Sequence, residues 1–326
     1  MEPLKLQSAL QDYIWGGTRL RDEFGKESDK ARIAESWELS CHPAGLTTII
    51  NSVYKGLTLK EYLEQDWTAR VGEGAAGYSS FPVLIKLIDA SQDLSVQVHP
   101  DDRFARDNEN GENGKTECWY VVDCEEGAVL AYGLNRELTK EEFRAHIVDG
   151  TLLDYLRLVP VRKGDVFFIE PGTLHAIGAG ILIAEIQSNS DITYRIYDYD
   201  RTDENGNPRA LNIDKAVAVT KTWSAPPRMK RPPIQRDGFS STVIADCPVF
   251  TAWEYHVTDH VDFPPSEGLS YTHLLITDGE AALVYDEGVA MPLRRGESVF
   301  LPANFGEYSI RSSDCTFIST RTLPKE

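Results

Sequence analysis

The chain carries the same β-unit twice, and no other feature restricts its fold as much. Val161-Arg162-Lys163-Gly164-Asp165-Val166-Phe167-Phe168-Ile169-Glu170-Pro171 is matched in pattern by Leu293-Arg294-Arg295-Gly296-Glu297-Ser298-Val299-Phe300-Leu301-Pro302-Ala303. Each copy is a basic turn with a glycine and an acid, followed by an apolar strand that ends at proline. Upstream of the later copy, Leu274 to Gly279 echoes Val121 to Gly127. Two copies predict two β-units of one architecture. Four residues beyond the proline the first copy has His175 and the second has Gly306, so the second unit is expected to keep the framework without that polar group.

The rest of the chain fits a mainly β protein. Its 326 residues, 41% of them hydrophobic, suffice for two domains with a substantial core. Residues 1 to about 52 read as short strands and loops, including Tyr13-Ile14-Trp15-Gly16-Gly17 and the alternating Glu35-Ser36-Trp37-Glu38-Leu39-Ser40. A helix over about 58–70 opens with a capping box of Thr58 and Glu61. Phe81 to Asp89 is a nearly continuous apolar run of strand length, which predicts burial on both faces, with Lys86 inside it. A small helical insertion is expected over 139–158, from the capping box of Thr139 and Glu142 and the staple of Leu138 and Phe143. Ile181 to Ile186 and Tyr194 to Asp200 read as strands separated by the turn Ser188-Asn189-Ser190-Asp191, and Asn205-Gly206 closes the region. Residues 212–221 read as a further helix, and 223–239, with Pro226, Pro227, Pro232 and Pro233, as an extended connector. The expected division is a first domain over 1–222, the connector, and a second domain over 240–326.

Charge and cysteine usage exclude several classes of function. Lys and Arg number 33 against 51 Asp and Glu, a formal charge of −18, which argues against nucleic acid and anionic membrane as partners. An anionic ligand would need a local basic pocket. Cys41, Cys118, Cys124, Cys247 and Cys315 are odd in number and contain no C-x-x-C pair, as expected of reduced thiols in a cytoplasmic protein. The start, Met1-Glu2-Pro3-Leu4-Lys5, has no signal-peptide pattern, and no apolar run reaches membrane-spanning length.

Chemistry concentrates in the first unit. In Leu94-Ser95-Val96-Gln97-Val98-His99-Pro100, strand alternation puts Ser95, Gln97 and His99 on one face and Leu94, Val96 and Val98 on the other. A polar face of this kind is either half-exposed or holds something that satisfies it, because an unsatisfied buried polar group costs a few kcal/mol. In the next strand Lys115, Glu117, Trp119 and Val121 share a face; alone, Lys115 and Glu117 would read as a surface salt bridge. With His175, the set Gln97, His99, Glu117 and His175 supplies four N and O donors with a single carboxylate. That suits a divalent ion of the zinc type, with manganese or cobalt able to substitute.

These residues resemble the type I phosphomannose isomerases, especially their short bacterial form, which has the cupin fold. The resemblance rests on Ser95-Val96-Gln97-Val98-His99-Pro100, Lys115-Thr116-Glu117, Pro171-Gly172-Thr173-Leu174-His175-Ala176, Glu185 and Arg195, with Trp15-Gly16-Gly17 and Ala34-Glu35-Ser36-Trp37 in support. Thr116 stands where many members have proline. The resemblance implies two jelly-roll units, the second without a metal site, and one zinc per chain held by Gln97, His99, Glu117 and His175. It places Ser95, Lys115, Glu185 and Arg195 around a sugar phosphate, with Lys86 a lesser candidate for substrate binding. Aldose–ketose interconversion moves a proton between adjacent carbons through an enediolate, which needs a base, a cation near the oxyanion and a phosphate anchor. Glu185 and Lys115 both qualify for proton transfer, Glu185 being the better base, and Arg195 and Lys115 can meet anionic groups. The expected activity is interconversion of mannose 6-phosphate and fructose 6-phosphate. A metal-holding sugar sensor without turnover, and an isomerase of an unphosphorylated sugar, are the alternatives. His42, His146, His256, His260 and His273 lack companion donors and read as surface or core residues. Monomer and homodimer stay equally open, and the second unit is expected to be structural.

Overall fold

A computed structural model describes residues 2–202, 206–223 and 231–324. Pro226 and Pro227 of the expected connector and Asn205 of the expected turn lie outside the described residues.

The first unit is a sandwich of two antiparallel sheets. One sheet runs Val166–Ile169, Glu117–Cys124, Ile181–Ser188, Val83–Ala90, Glu35–Leu39 and Ala9–Gln11; the other runs Tyr194–Tyr197, Val96–Val98, His175–Ala176, Val129–Leu134 and Leu156–Pro160. Their inner faces meet in a core that includes Trp119, Val121 and Ile183 from the first sheet and Leu130, Tyr132 and Val159 from the second. Val83–Ala90 is buried at every residue, as the apolar run predicts. Lys86 and Ile88 face between the sheets, whereas Val83, Ile85 and Leu87 pack in a separate core with Leu4, Tyr271 and Phe300. That second core joins the two units.

The second unit repeats the architecture. Thr272–Tyr285 pairs with Ser298–Leu301 on one side and Cys315–Arg321 on the other, and its far half pairs with Val289–Arg294 and Tyr308–Arg311. The repeat holds at the level of register. Ile169 pairs with Glu117 and Phe167 with Trp119 in the first unit; Leu301 pairs with Thr272 and Val299 with Leu274 in the second. Thr272 therefore stands where the first unit has Glu117, and Leu274 stands for Trp119, two residues before the partner that the sequence echo implied. The interior of this unit is filled by Phe263, Phe305, Tyr308, Phe317 and aliphatic side chains.

Several boundaries differ from the sequence expectation. The sheets do not respect the division at 222, because Leu4–Gln7 pairs with Ser298–Leu301 of the second unit and Thr48–Ile49 pairs with Leu4–Gln7 in turn. The Thr58 capping box forms, but the helix stops at Gln65 and a second one, Trp67–Val71, starts behind Asp66, whose side chain accepts from the Ala69 amide. The Thr139 capping box also forms, over a helix of Lys140–Val148; beyond a 3-10 turn at Leu152–Tyr155, residues from Leu156 are strand rather than helix. The strand expected to reach Asp200 ends at Tyr197, since Tyr199 and Asp200 have positive φ (55° and 52°) that a strand does not accommodate. The last helix of the first unit, Ile213–Val219, packs on that strand, and the Lys140 ammonium donates to its terminal carbonyls at Val217, Ala218 and Thr220. No helix among the described residues is long and apolar enough to cross a membrane.

An ion pair and an aromatic cluster are among the interactions that tie the units together. Lys26 donates to Glu38 Oε2 (2.8 Å) and to the Gly296 carbonyl (2.6 Å), with Glu38 fully buried. Phe300 stacks on Tyr271 (5.4 Å, 15°) and meets Phe81 and Tyr62 edge-on. Phe300→Ala should leave a cavity at this junction and lower stability by about 3–5 kcal/mol. Denaturant unfolding checks this, and a loss below about 1 kcal/mol would show that the junction is not a shared core.

Candidate active site

Two cross-strand rows build the site, one on each sheet of the first unit. On the five-stranded sheet, Arg195 pairs with Gln97, Gln97 with His175, and His175 with Tyr132. On the six-stranded sheet, Trp119 pairs with Glu185, Glu185 with Lys86, and Lys86 with Trp37. Residues paired across a sheet present their side chains to the same face, so each row is a line of polar and aromatic groups, and the rows meet where the His175 and Trp119 rings lie edge to face at 5.2 Å.

His99, Glu117 and His175 converge at this meeting point. All three are fully or almost fully buried, and one ligand-type atom from each lies within 4.8 Å of the others. Each imidazole uses Nδ1 to donate to a backbone carbonyl at 2.8 Å, His99 to Ile192 and His175 to Thr173. That bond fixes the tautomer and turns the Nε2 lone pair toward Glu117, at 3.1 Å for His99 and 3.8 Å for His175. His99 Nε2 and both Glu117 oxygens have no aligned hydrogen-bond partner. Burial by itself would raise the Glu117 carboxyl, but the Lys115 ammonium at 2.5 Å and the neighbouring His99 outweigh it and hold the group well below the usual carboxylate range. Burial pushes both imidazoles down, His175 to about 3. Buried, deprotonated acceptors that converge with His99 Nε2 and both Glu117 oxygens lacking an aligned hydrogen-bond donor fit a divalent cation. Gln97 borders the cluster, its amide nitrogen donating to His175 Nε2 (3.3 Å); it would offer oxygen as a ligand with the amide turned over.

Beside the cluster is a cavity of about 270 Å³, bounded by Ser95, Gln97, Lys115, Lys86, Glu185 and Arg195 among others. Every predicted residue outside the buried cluster therefore lines one space. Ser95 donates to the Gln97 amide oxygen (3.4 Å). Glu185 accepts from the Trp119 indole through Oε2 (2.9 Å), and its Oε1 has no hydrogen-bond partner. Burial, then the Glu117 charge, raises the Glu185 carboxyl against the opposing pull of Lys115 and Lys86. Lys86 is buried between Glu35 (3.4 Å) and Glu185 (3.5 Å), and these two carboxylates hold its ammonium protonated against burial. Arg195 is half-buried with its Nε unpartnered; burial and the nearby Arg209 push it down.

The cavity also includes Glu35, Asp191, Arg209, Tyr13 and Trp15, to which the sequence reading gave no role. Glu35 sits two positions from Trp37 on a strand the sequence shows plainly, so the alternation that singled out Gln97 could have found it. Arg209 follows an irregular loop and offers no periodic signal; Arg201 and Arg209 share Asp198, at 2.5 and 3.3 Å. A larger cavity, about 760 Å³, opens between the units along Val166–Phe168 and Thr242–Asp246 and includes none of the predicted residues.

A family model described as phosphomannose isomerase type I, catalytic domain, matches residues 4–124. Mannose-6-phosphate isomerase ManA of Bacillus subtilis is 38% identical over 309 residues, which cover 95% of this chain and 96% of the relative. Mannose-6-phosphate isomerase of Streptococcus mutans is 39% identical over 301 residues, 92% of each chain. The crystal structure of the mannose 6-phosphate isomerase from Bacillus subtilis superposes with a TM-score of 0.92 at 35% identity, over 98% of this chain and 99% of that one.

The imidazoles give the site a pH signature. An unfolded chain protonates histidine near pH 6.5, whereas the fold keeps His175 neutral down to about 3. Its contribution is present above about pH 6.5 and lost as pH falls toward 3. Chelator-treated protein should melt at a lower temperature at about pH 5 than at about pH 7, and His175→Asn should shrink that difference. An undiminished difference in the variant, by calorimetry, would count against the assignment.

Proposed function

The chain belongs to the type I phosphomannose isomerases, and from this we propose that it interconverts mannose 6-phosphate and fructose 6-phosphate as a zinc-dependent, cytoplasmic enzyme with one zinc per chain. The observation that carries the reading is the composition of one cavity: Gln97 at the edge of the His99, Glu117 and His175 cluster, the unpartnered Oε1 of Glu185, and the guanidinium groups of Arg195 and Arg209.

In this reading His99, Glu117, His175 and Gln97 hold the metal. A bound zinc would supply Lewis-acid polarisation of the substrate oxygens. Glu185 Oε1 is the base that carries a proton between the two adjacent carbons of the sugar; its raised affinity for protons, set by burial and the Glu117 charge, suits that role. The Lys115 ammonium faces the charge that develops on oxygen as the enediolate forms. Arg195 and Arg209 anchor the phosphate, guanidinium being the side chain best shaped for it. Ser95 turns its hydroxyl to the sugar, and the Tyr13 and Trp15 rings (5.7 Å apart) add apolar lining to the cavity. Lys86 is the lesser contributor to substrate binding, because its charge is already shared by two carboxylates. The two guanidinium groups favour a phosphorylated sugar over a free one.

A coupled assay with mannose 6-phosphate should show turnover that chelation removes and added zinc restores, and inorganic phosphate should compete. Glu185→Gln should lower kcat by about 10²–10⁴-fold while the variant keeps its zinc. Turnover in fully metal-free protein would overturn the zinc dependence. Full activity in Glu185→Gln would overturn the base assignment.

A further inference from the structure

The row that contains Glu185 extends past it to a second pair of indole and carboxylate. Trp119 Nε1 donates to Glu185 Oε2 at 2.9 Å, and Trp37 Nε1 donates to Glu35 Oε2 at 2.7 Å. Between the two carboxylates lies Lys86, 3.4 Å from Glu35 and 3.5 Å from Glu185, with its ammonium 4.9 Å from the centre of the Trp37 ring. All five residues are buried, Lys86 at 4% exposure, and Trp37, Lys86, Glu185 and Trp119 are direct register partners on adjacent strands. Backbone pairing therefore sets the spacing, and no long side chain is left to search for its place.

An ammonium with one carboxylate in a dry site would close into a tight ion pair, occupying the oxygen that a base needs free. A second carboxylate at nearly the same distance divides that attraction. The Trp119 indole holds Glu185 by Oε2, the oxygen away from Lys86, whereas on Glu35 the Trp37 indole and the Lys86 ammonium meet the same oxygen, Oε2. The result is what the structure displays: Glu185 Oε1 next to the cavity, near a positive charge and without a hydrogen bond.

We propose that Glu35 is a positioning residue for proton transfer, which shares Lys86 with Glu185 and so keeps Glu185 Oε1 open to the substrate. This rests on the reading of Glu185 as the base. Glu35 contributes no atom to the reacting carbons; its effect reaches them through Lys86. Asp at this position would keep the charge but shorten the reach, whereas Gln keeps the shape and an acceptor for Trp37 but removes the charge.

The test measures kcat, KM, metal content and melting temperature of Glu35→Gln, Glu35→Asp and Glu185→Gln as full-length, metal-loaded proteins. Glu35→Gln should lose roughly 10-fold to 100-fold in kcat, with KM within about twofold and with metal content at the wild-type value, while the melting temperature falls because the buried Lys86 ammonium loses one of its two carboxylates. Glu35→Asp should recover most of the loss. A wild-type kcat in Glu35→Gln while Glu185→Gln is inactive would overturn the positioning role and leave the base assignment standing. Full turnover in Glu185→Gln would instead overturn the base assignment. A loss of kcat accompanied by comparable changes in KM and metal content, unrelieved by Asp, would show that Glu35 is only structural and would also overturn the proposal.

Discussion

The site depends on acceptors that face each other in a dry core. His99 Nε2 and the two Glu117 oxygens are buried without aligned donors, an arrangement that would destabilise the fold by several kcal/mol if left uncompensated. Lys115, in ion-pair contact with Glu117, is the nearest positive charge of the chain itself. Two backbone carbonyls, from Ile192 and Thr173, determine which nitrogen of each imidazole is the acceptor. The segments carrying those carbonyls are thus as much part of the centre as the rings are, since a flipped tautomer would present an N–H to the carboxylate and remove the demand for a cation.

Comparing the two units shows how much of the architecture is independent of the chemistry. Register pairing puts Thr272 where the first unit has Glu117 and, through Leu274 and its partner Ser319, a serine where it has Glu185. With those carboxylates absent, the interior of the second unit closes around Phe263, Tyr308 and Phe317, with Phe263 and Tyr308 stacked at 4.7 Å. The framework needs only alternating apolar strands. The first unit accepts a polar interior because its polar groups come as two rows whose members are partnered by one another or by nearby backbone, apart from the atoms that face the metal site and the cavity.

Much of this was legible in the sequence, for definite physical reasons. Strand alternation has period two, so Ser95, Gln97 and His99 are bound to share a face, and a lysine within the apolar run Phe81 to Asp89 has to find partners inside. The same alternation would have given Glu35 from Trp37, but nothing local says that Lys86 lies between Glu35 and Glu185, since that depends on the order of three strands distant in sequence. Arg209 could not be read at all: it reaches the cavity from a loop without periodicity, through the ion pair with Asp198. The exchange of Leu4–Gln7 into the second sheet was hidden for a related reason. A four-residue strand of alternating apolar and polar residues fits any open edge, and the choice is made by the tertiary packing of Leu4 and Leu6 in the shared core.

A chain of formal charge −18 is a poor collector of anions at long range, which makes the wall of the cavity decisive. Charges separated by more than about 8–10 Å are screened at physiological salt, so a ligand inside the cavity is governed by its immediate lining rather than by the sum over the surface. There the compensation is deliberately uneven. Asp198 is shared by Arg201 and Arg209, while among the described residues the Arg195 guanidinium donates only to the Ala210 carbonyl and leaves Nε unpartnered. Burial together with the charge of Arg209 disfavours the protonated form of Arg195, so positive charge is held there at a free-energy cost. An anion that enters relieves that cost directly, whereas Asp198 opposes it only from a distance, since no carboxylate of the described residues forms an ion pair with Arg195.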